Sequence, residues 1–339
     1  MDGIIYGIDV SKDELEFCSS SSQGSGSIKN SLGSIQKFIK RLQAEKVCVV
    51  VVEATGGYER LLVAELWAAG LPVAVVNPRQ TWAFGKSLGC EAKTDAIDAK
   101  TLALFGAKMN PRLTPPLAPE LLKLQELQGR RAQLVSMLVA EKNHLKSPLA
   151  SSNTKGSIKR MILHLEREIE ALDDTMKDIV KNSPSLNEKV EVIRRVKGAG
   201  SGLALQIVAN LPELGTLSRR KISSLVGVAP YNRDSGALSG KRHIMGGRRE
   251  VRTALYMAAV AAIRCNDKIK AFYIQMVKRG KPKMVALIAA MRKLLLVLNA
   301  TMREHICQKE LNQRAVARSE EHTSELQSRL HLVCRLLLE

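Results

Sequence analysis

Residues 46–58, KVCVVVVEATGGY, decide the fold of the first third of the chain. Five valines and a cysteine form a β-branched run with no polar interruption. Such a run marks a strand buried on both faces, at the centre of a sheet covered by helices. It ends on Glu53 and a Gly-Gly turn. A carboxylate straight after so apolar a strand needs a reason, because burying a charge alone is costly.

Working outward, IIYGIDV (4–10) reads as a second apolar strand with Asp9 near its end, and LEFCSSS (15–21) as its partner. The Ser/Gly run 19–27 predicts a hairpin loop. SIQKFIKRLQAE (34–45) carries Ile35, Phe38, Ile39 and Leu42 at helical spacing. GYERLLVAELWAAG (57–70) predicts a helix closed by Gly70, and LPVAVVNP (71–78) another buried strand. AKTDAIDAKTLALF (92–105) opens an apolar helix that Thr94 can cap. Asp95 and Asp98 share its first turn, since positions three apart are neighbours on a helix surface. Residues 1–115 are thus an α/β domain.

After NPRLTPPLAP (110–119) the composition shifts to Leu, Glu, Lys, Arg and Gln. Residues 116–185 predict two long helices about a break near SPLASSNTKGS (147–157), a helical hairpin or dimerising coiled coil. Residues 186–317 predict a mainly α-helical domain closed by an amphipathic helix near 282–302. From RSEEHTSELQS (318–328) onward the sequence reads as a translated sequencing adapter, so 318–339 is expected to be an artefact tail. That tail holds three basic and four acidic residues, so it does not account for the charge of the chain.

The chain has 339 residues and a formal net charge of +19. An excess of that size points to a polyanionic partner, most commonly nucleic acid. Aromatic content of 4% argues against base stacking as the main binding mode. Six scattered cysteines give no zinc-ligand spacing and read as reduced thiols. The apolar stretches are too short or too charged for a membrane span, so no membrane is expected.

Asp9, Glu53, Asp95 and Asp98 are the candidate metal ligands. Carboxylates at the ends of neighbouring central strands, with a pair on an adjacent helix, can converge in one small volume. Two divalent cations ~3.5–4 Å apart would relieve their repulsion and clamp the oxygens of a phosphodiester exchange. Magnesium suits an all-oxygen site, and manganese can replace it. Each acid taken alone also reads as a turn or capping residue.

GIDVSK (7–12), VEATGGY (52–58), VVNP (75–78) and KTDAIDA (93–99), in this order, resemble the Asp-Glu-Asp-Asp transposases of bacterial insertion sequences, the group that includes Piv-type DNA invertases. The resemblance covers the chain to about residue 305. It implies a RuvC-like, ribonuclease-H-type N-terminal domain in which Asp9, Glu53, Asp95 and Asp98 bind metal. LVGVAPYNRDSGALSGKRHIMGGRREVRTALYMAA (225–259) resembles the second signature of the family. There Ser235 matches the serine implied to attack DNA, with Ser239 a nearby competitor. Lys241, Arg242, Arg248, Arg249 and Arg252 follow it and can neutralise phosphates; a solvated charged face is the alternative, and the two glycines, which let backbone approach a ligand closely, favour the phosphate reading.

VKGAGSGLA (196–204) fits a helix-hairpin-helix-like motif in which Gly198 and Gly200 open a helix toward a phosphate, and it equally fits a plain turn. The resemblance further implies DNA as substrate, an element-encoded guide RNA, and a bacterial, nucleoid-associated location in the cytoplasm, and the helical middle predicts a dimer or tetramer. Two other readings share these residues: a junction-cutting nuclease that uses the acids and water, and an inactive nucleic-acid-binding remnant.

Overall fold

The computed structural model describes residues 3–21, 24–89, 95–147, 151–232, 240 and 242–336, without the side chains of 95, 96 and 314–336. The chain divides into two compact units, residues 1–117 and 118–339.

The first unit is built on β1 (Ile4–Val10), β2 (Glu14–Ser19), β3 (Ser25–Lys29), α1 (Leu32–Ala44), β4 (Val47–Glu53), α2 (Arg60–Ala68), β5 (Val73–Val76), α3 (Pro78–Ser87) and α4 (Asp95–Met109). The five strands form one mixed sheet in the order β3-β2-β1-β4-β5. β2 runs antiparallel to β1 and β3, while β1, β4 and β5 are parallel. The valine run is therefore central, flanked by β1 and β5, as its composition requires.

Strand alternation divides the core between the two faces of the sheet. Tyr6, Ile8, Val50 and Val52 pack with Ile35, Phe38, Leu42, Leu62 and Leu66 of α1 and α2. Ile5, Val49, Val51, Ala74 and Val76 pack with Leu102 and Phe105 of α4, and Phe84 of α3 joins them. Phe84 and Phe105 meet edge to face, with ring centroids 5.4 Å apart.

The expected hairpin loop 19–27 is shorter than its composition suggests. Residues 25–29 pair with β2 as an edge strand, Gly26 opposite Phe17. A Cβ at Gly26 would stand 3.0 Å from the Phe17 ring, so the glycine makes room for it. Ser and Gly hide the strand because they carry no β-forming side chain. Gly70 closes α2 in the left-handed region (φ +73°), as expected.

The second unit comprises α5 (Pro119–Leu145), α6 (Ser152–Asn182), α7 (Pro184–Arg194), α8 (Ser201–Asn210), α9 (Arg219–Val226), β6 (Pro230–Tyr231), β7 (His243–Ile244), α10 (Arg249–Cys265), α11 (Asp267–Lys278) and α12 (Lys283–Leu336). α5 and α6 form an antiparallel hairpin. Arg131 grips Asp173 with two bonds of 2.6 and 3.1 Å, and Lys142 meets Glu166 at 2.8 Å. Of the stretches 116–185 and 186–317, all but residues 116 and 117 fall within this unit.

α12 crosses the core with Ala286, Ala290, Leu294, Leu295 and Leu298 buried. Its segment Lys283–Gln313 is long and apolar enough to cross a membrane by length and composition, but this stripe packs against α10 and α11. Asn299, 2% exposed, accepts from the Gly215 amide at 2.9 Å and donates to the Leu217 carbonyl at 3.1 Å. Both halves of its buried amide are thereby satisfied.

Candidate active site

The acids of the first unit are placed by strand parity. Ile5 faces α4 and Tyr6 and Ile8 face α1 and α2, so Asp9 points to the α4 face. Val51 faces α4 and Val52 does not, so Glu53 points there too. β1 and β4 are parallel with Ile8 beside Val52, and the next pair in that register is Asp9 and Glu53. Two carboxylates thus stand side by side at the carboxyl ends of the two central strands.

Glycines bring the third element to them. A Cβ on Gly7 would lie 2.2 Å from the Ala103 amide nitrogen and 2.3 Å from the Ala99 carbonyl oxygen. A Cβ on Gly106 would lie 2.7 Å from Val51 Cγ2 and 2.8 Å from Ile5 Cγ2. α4 therefore lies directly on β1 and runs against it, with residue 106 over residue 5 and residues 99–103 over residue 7. At about 1.5 Å per helical residue and about 3.3 Å per strand residue, residues 95–98 come level with residue 9. Asp98 is partly buried there, and Asp95 begins the helix.

Two further side chains shape this end of the sheet. Thr81 of α3, 4% exposed, donates to Glu53 Oε2 at 2.5 Å. Glu16 pairs directly with Asp9 across the antiparallel strands and so shares its face. Like charges placed opposite each other repel. Asp9 Oδ1 accepts from the Val10 amide at 3.0 Å.

Among the described residues, no three acidic, histidine or cysteine side chains are gathered closely enough to hold an ion; the Asp95 side chain is outside that set. The donors sharing this face are carboxylate oxygens, the chemistry that hard divalent cations take. Carboxylates that share one site repel each other, and an opposite charge between them relieves that repulsion.

In the second unit, Ser235, Ser239 and Lys241 lie outside the described residues. The flanks of their segment are built firmly. β6 and β7 form a two-stranded ribbon, Pro230 opposite Ile244 and Tyr231 opposite His243. At its base two glycine backbones interlock. A Cβ on Gly247 would be 2.2 Å from the Gly227 nitrogen, and one on Gly227 would be 2.0 Å from the Gly246 oxygen. Gly227 (φ +76°) also ends α9 in the left-handed region. Arg252 donates to the Gly246 carbonyl, and the Tyr231 hydroxyl meets Ser224 Oγ at 2.5 Å.

The basic residues of this segment are not equivalent. Arg242 and Arg249 are exposed. Arg248 forks onto both oxygens of Glu213 at 2.6 Å and also donates to the Asn210 carbonyl at 2.8 Å. Its guanidinium ties the start of α10 to the α8–α9 connection. Gly198 (φ +99°) sits where a Cβ would meet Ala262 Cβ at 2.5 Å, so its lack of a side chain lets the α7–α8 turn touch α10. Gly200 precedes α8 with open space around it.

Sequence reasoning missed Glu16, Thr81 and Glu213. Glu16 was visible only through strand register, and the other two through tertiary contacts. The glycine inside the GIDV strand was a readable signal of close backbone approach.

Two family models match the chain: one described as a transposase over residues 6–153, and one described as the transposase IS116/IS110/IS902 family over residues 190–274. The pilin gene-inverting protein of Moraxella bovis is 30% identical over 260 residues, which is 76% of this chain and 80% of that protein. The Moraxella lacunata protein of the same name matches to the same extent. Thermus thermophilus RuvC in complex with a Holliday junction substrate aligns at a TM-score of 0.27 with 17% identity, over 33% of this chain and 99% of that one.

Proposed function

The chain belongs to the IS116/IS110/IS902 transposase family, and from that premise we propose that it is a site-specific DNA recombinase acting on the ends of a mobile element. Its first unit is read as a RuvC-like, ribonuclease-H-type carboxylate domain. The observation that carries this reading is the pair Asp9 and Glu53 at adjacent strand ends, with the start of α4 brought to them across Gly7.

Asp9, Glu53, Asp95 and Asp98 would hold the divalent cations, magnesium by preference and manganese as a substitute. When bound, such ions stabilise charge on the attacking and leaving oxygens of a phosphodiester. Thr81 fixes the Glu53 carboxylate, so that one of its oxygens is committed and the other is free to ligate.

Ser235 supplies the nucleophile in this reading. Its Oγ forms a bond to phosphorus as the bond from phosphorus to the departing sugar oxygen breaks. The serine gives up a proton and the sugar oxygen takes one. A DNA hydroxyl reverses the same step on the new partner strand. Lys241, Arg242, Arg249 and Arg252 neutralise phosphates, Gly200 opens α8 toward the backbone while Gly198 seats that turn on α10, and Arg248 braces α10 through Glu213. A guide RNA encoded by the element would supply sequence choice by base pairing, with the positive charge holding RNA and DNA together. The protein would act as a dimer or tetramer at the bacterial nucleoid.

The test is strand exchange on a supercoiled plasmid carrying both element ends, with magnesium. Asp9→Asn and Asp95→Asn should abolish cleavage and leave DNA binding intact. Ser235→Ala should abolish the covalent protein–DNA adduct trapped by detergent. Cleavage that survives in Ser235→Ala and dies in Asp9→Asn would make the protein a water-using nuclease instead.

A further inference from the structure

α3 presents Thr81 to Glu53 on its buried side and a different set of side chains on its outer side. Arg79, Trp82, Ala83 and Lys86 recur at three- and four-residue spacing, so they form one stripe along the helix, and all four are exposed. Trp82 is 63% exposed, more than any other aromatic side chain among the described residues. The Lys86 ammonium sits 4.2 Å from its ring centroid.

A tryptophan is ordinarily the side chain most worth burying, yet the inward positions of α3 are taken by Thr81, Phe84 and Gly85, and Trp82 lies outside them. The ring instead carries one cation over its face, with Arg79 one turn away along the helix, and it is next in sequence to the residue that holds the candidate ligand Glu53. An indole with a cation over its face and another basic group one turn away matches one ligand chemistry: a nucleobase for the ring, with its phosphates for the cations. Bases inside a duplex are already stacked on their neighbours, so the ring can take only an unpaired base.

We propose that Trp82, flanked by Arg79 and Lys86, is a stacking platform for one unpaired base of the DNA strand presented to Asp9 and Glu53. This rests on the carboxylate site proposed above, and it adds a DNA-holding element outside the acids and the basic segment 241–252. DNA is chosen over RNA because α3 is the helix that braces Glu53, so its outer stripe travels with the group that acts on the scissile strand. The platform is compatible with an aromatic-poor chain because it needs a single ring.

The chain contains one other tryptophan, Trp67, whose indole N–H donates to the Thr114 carbonyl at 3.1 Å. Tryptophan emission is followed as a single-stranded DNA oligonucleotide is added, with chelator present so that nothing is cut. Quenching should persist in Trp67→Phe and vanish in Trp82→Phe. Trp82→Ala should weaken single-strand binding by roughly 5- to 150-fold, the usual worth of one stacked base, and leave duplex affinity and the melting temperature in place. An abasic strand of the same length should neither quench nor bind as well.

Equal quenching by the abasic strand, or a change with protein concentration alone, would overturn the proposal. Quenching by an RNA oligonucleotide and not by DNA would overturn its assignment to DNA. If Trp82→Ala binds single strands normally while Asp9→Asn still abolishes cleavage, the platform falls and the carboxylate site stands. If Trp82→Ala binds poorly but Asp9→Asn cuts normally, the carboxylate site falls and the platform stands.

Discussion

Thr81 Oγ1 lies 2.5 Å from Glu53 Oε2 and 2.9 Å from the Pro78 carbonyl oxygen. A hydroxyl has one proton, and an ionised carboxylate is the stronger acceptor, so the short bond goes to Glu53. The contact joins α3 to the end of β4 and fixes which way a candidate ligand points.

Removing that proton should loosen the metal site without unfolding the domain. Thr81→Val keeps the shape and loses the donor. The magnesium concentration for half-maximal cleavage should rise about 10- to 100-fold, the usual cost of losing a group that orients a ligand. Thr81→Ser should restore most of the difference. A magnesium titration of strand cleavage on both variants decides it; identical curves for Val and wild type would remove Thr81 from the site.

The approach of α4 to β1 gives a second prediction. Gly7→Ala puts a carbon 2.2 Å from a helix backbone nitrogen, and backbone cannot rotate out of the way. The first unit should lose about 1–3 kcal/mol or more, and cleavage should fall because Asp95 and Asp98 move away from Asp9. Gly33→Ala is the control, since nothing lies within 4 Å of it inside α1. It should be neutral or stabilising by up to about 1 kcal/mol. Thermal melts of both variants, beside cleavage assays, separate displacement of the helix from general loss of fold.

Much of this was legible along the chain, and the exceptions share a cause. The valine run announced a central strand because both faces of such a strand are apolar, and Glu53 stood out against it. β3 was hidden by Ser and Gly, whose pairing with β2 depends on Phe17 filling the space over Gly26. α3 shows no apolar periodicity, because only Thr81, Phe84 and Gly85 face inward; its readable signal was Asn77 before Pro78, and the Asn77 side chain does accept from the Arg79 amide at 2.9 Å. Glu16 becomes a neighbour of Asp9 only once the β1–β2 register is set. Pattern reports what an element buries, and the partners of single polar groups belong to the assembled fold.

Tyr6 carries a pH prediction. Its hydroxyl donates to Glu45 Oε2 at 2.6 Å. Burial first, and then the bond and charge of Glu45, push its pKa up from 10.0 to about 12. The folded state therefore holds the phenol proton more tightly than the unfolded chain. Its stabilising effect is complete below pH 10 and is lost as pH rises from about 10 toward 12. Tyr6→Phe should flatten the fall in stability across that window while changing little at pH 7–9. Denaturant melts at a series of alkaline pH values test this; equal slopes for the two proteins would contradict it.

Adjacent arginines at the start of α10 should behave oppositely. Arg248 grips Glu213 in a two-bond fork, with side chains 34% and 26% exposed, while Arg249 faces solvent. Arg248→Ala removes a two-bond fork from a half-buried carboxylate and should cost about 1–3 kcal/mol of stability. Arg248→Lys should recover only part of it, because an ammonium cannot span both oxygens. Arg249→Ala should leave the melting temperature alone. It should weaken DNA binding evenly across sequences and make the slope of log Kd against log salt shallower by about one. Melting curves and salt-series binding on the three variants decide the roles. A shallower salt slope in Arg248→Ala with unchanged stability would make Arg248 a phosphate contact and Glu213 a bystander.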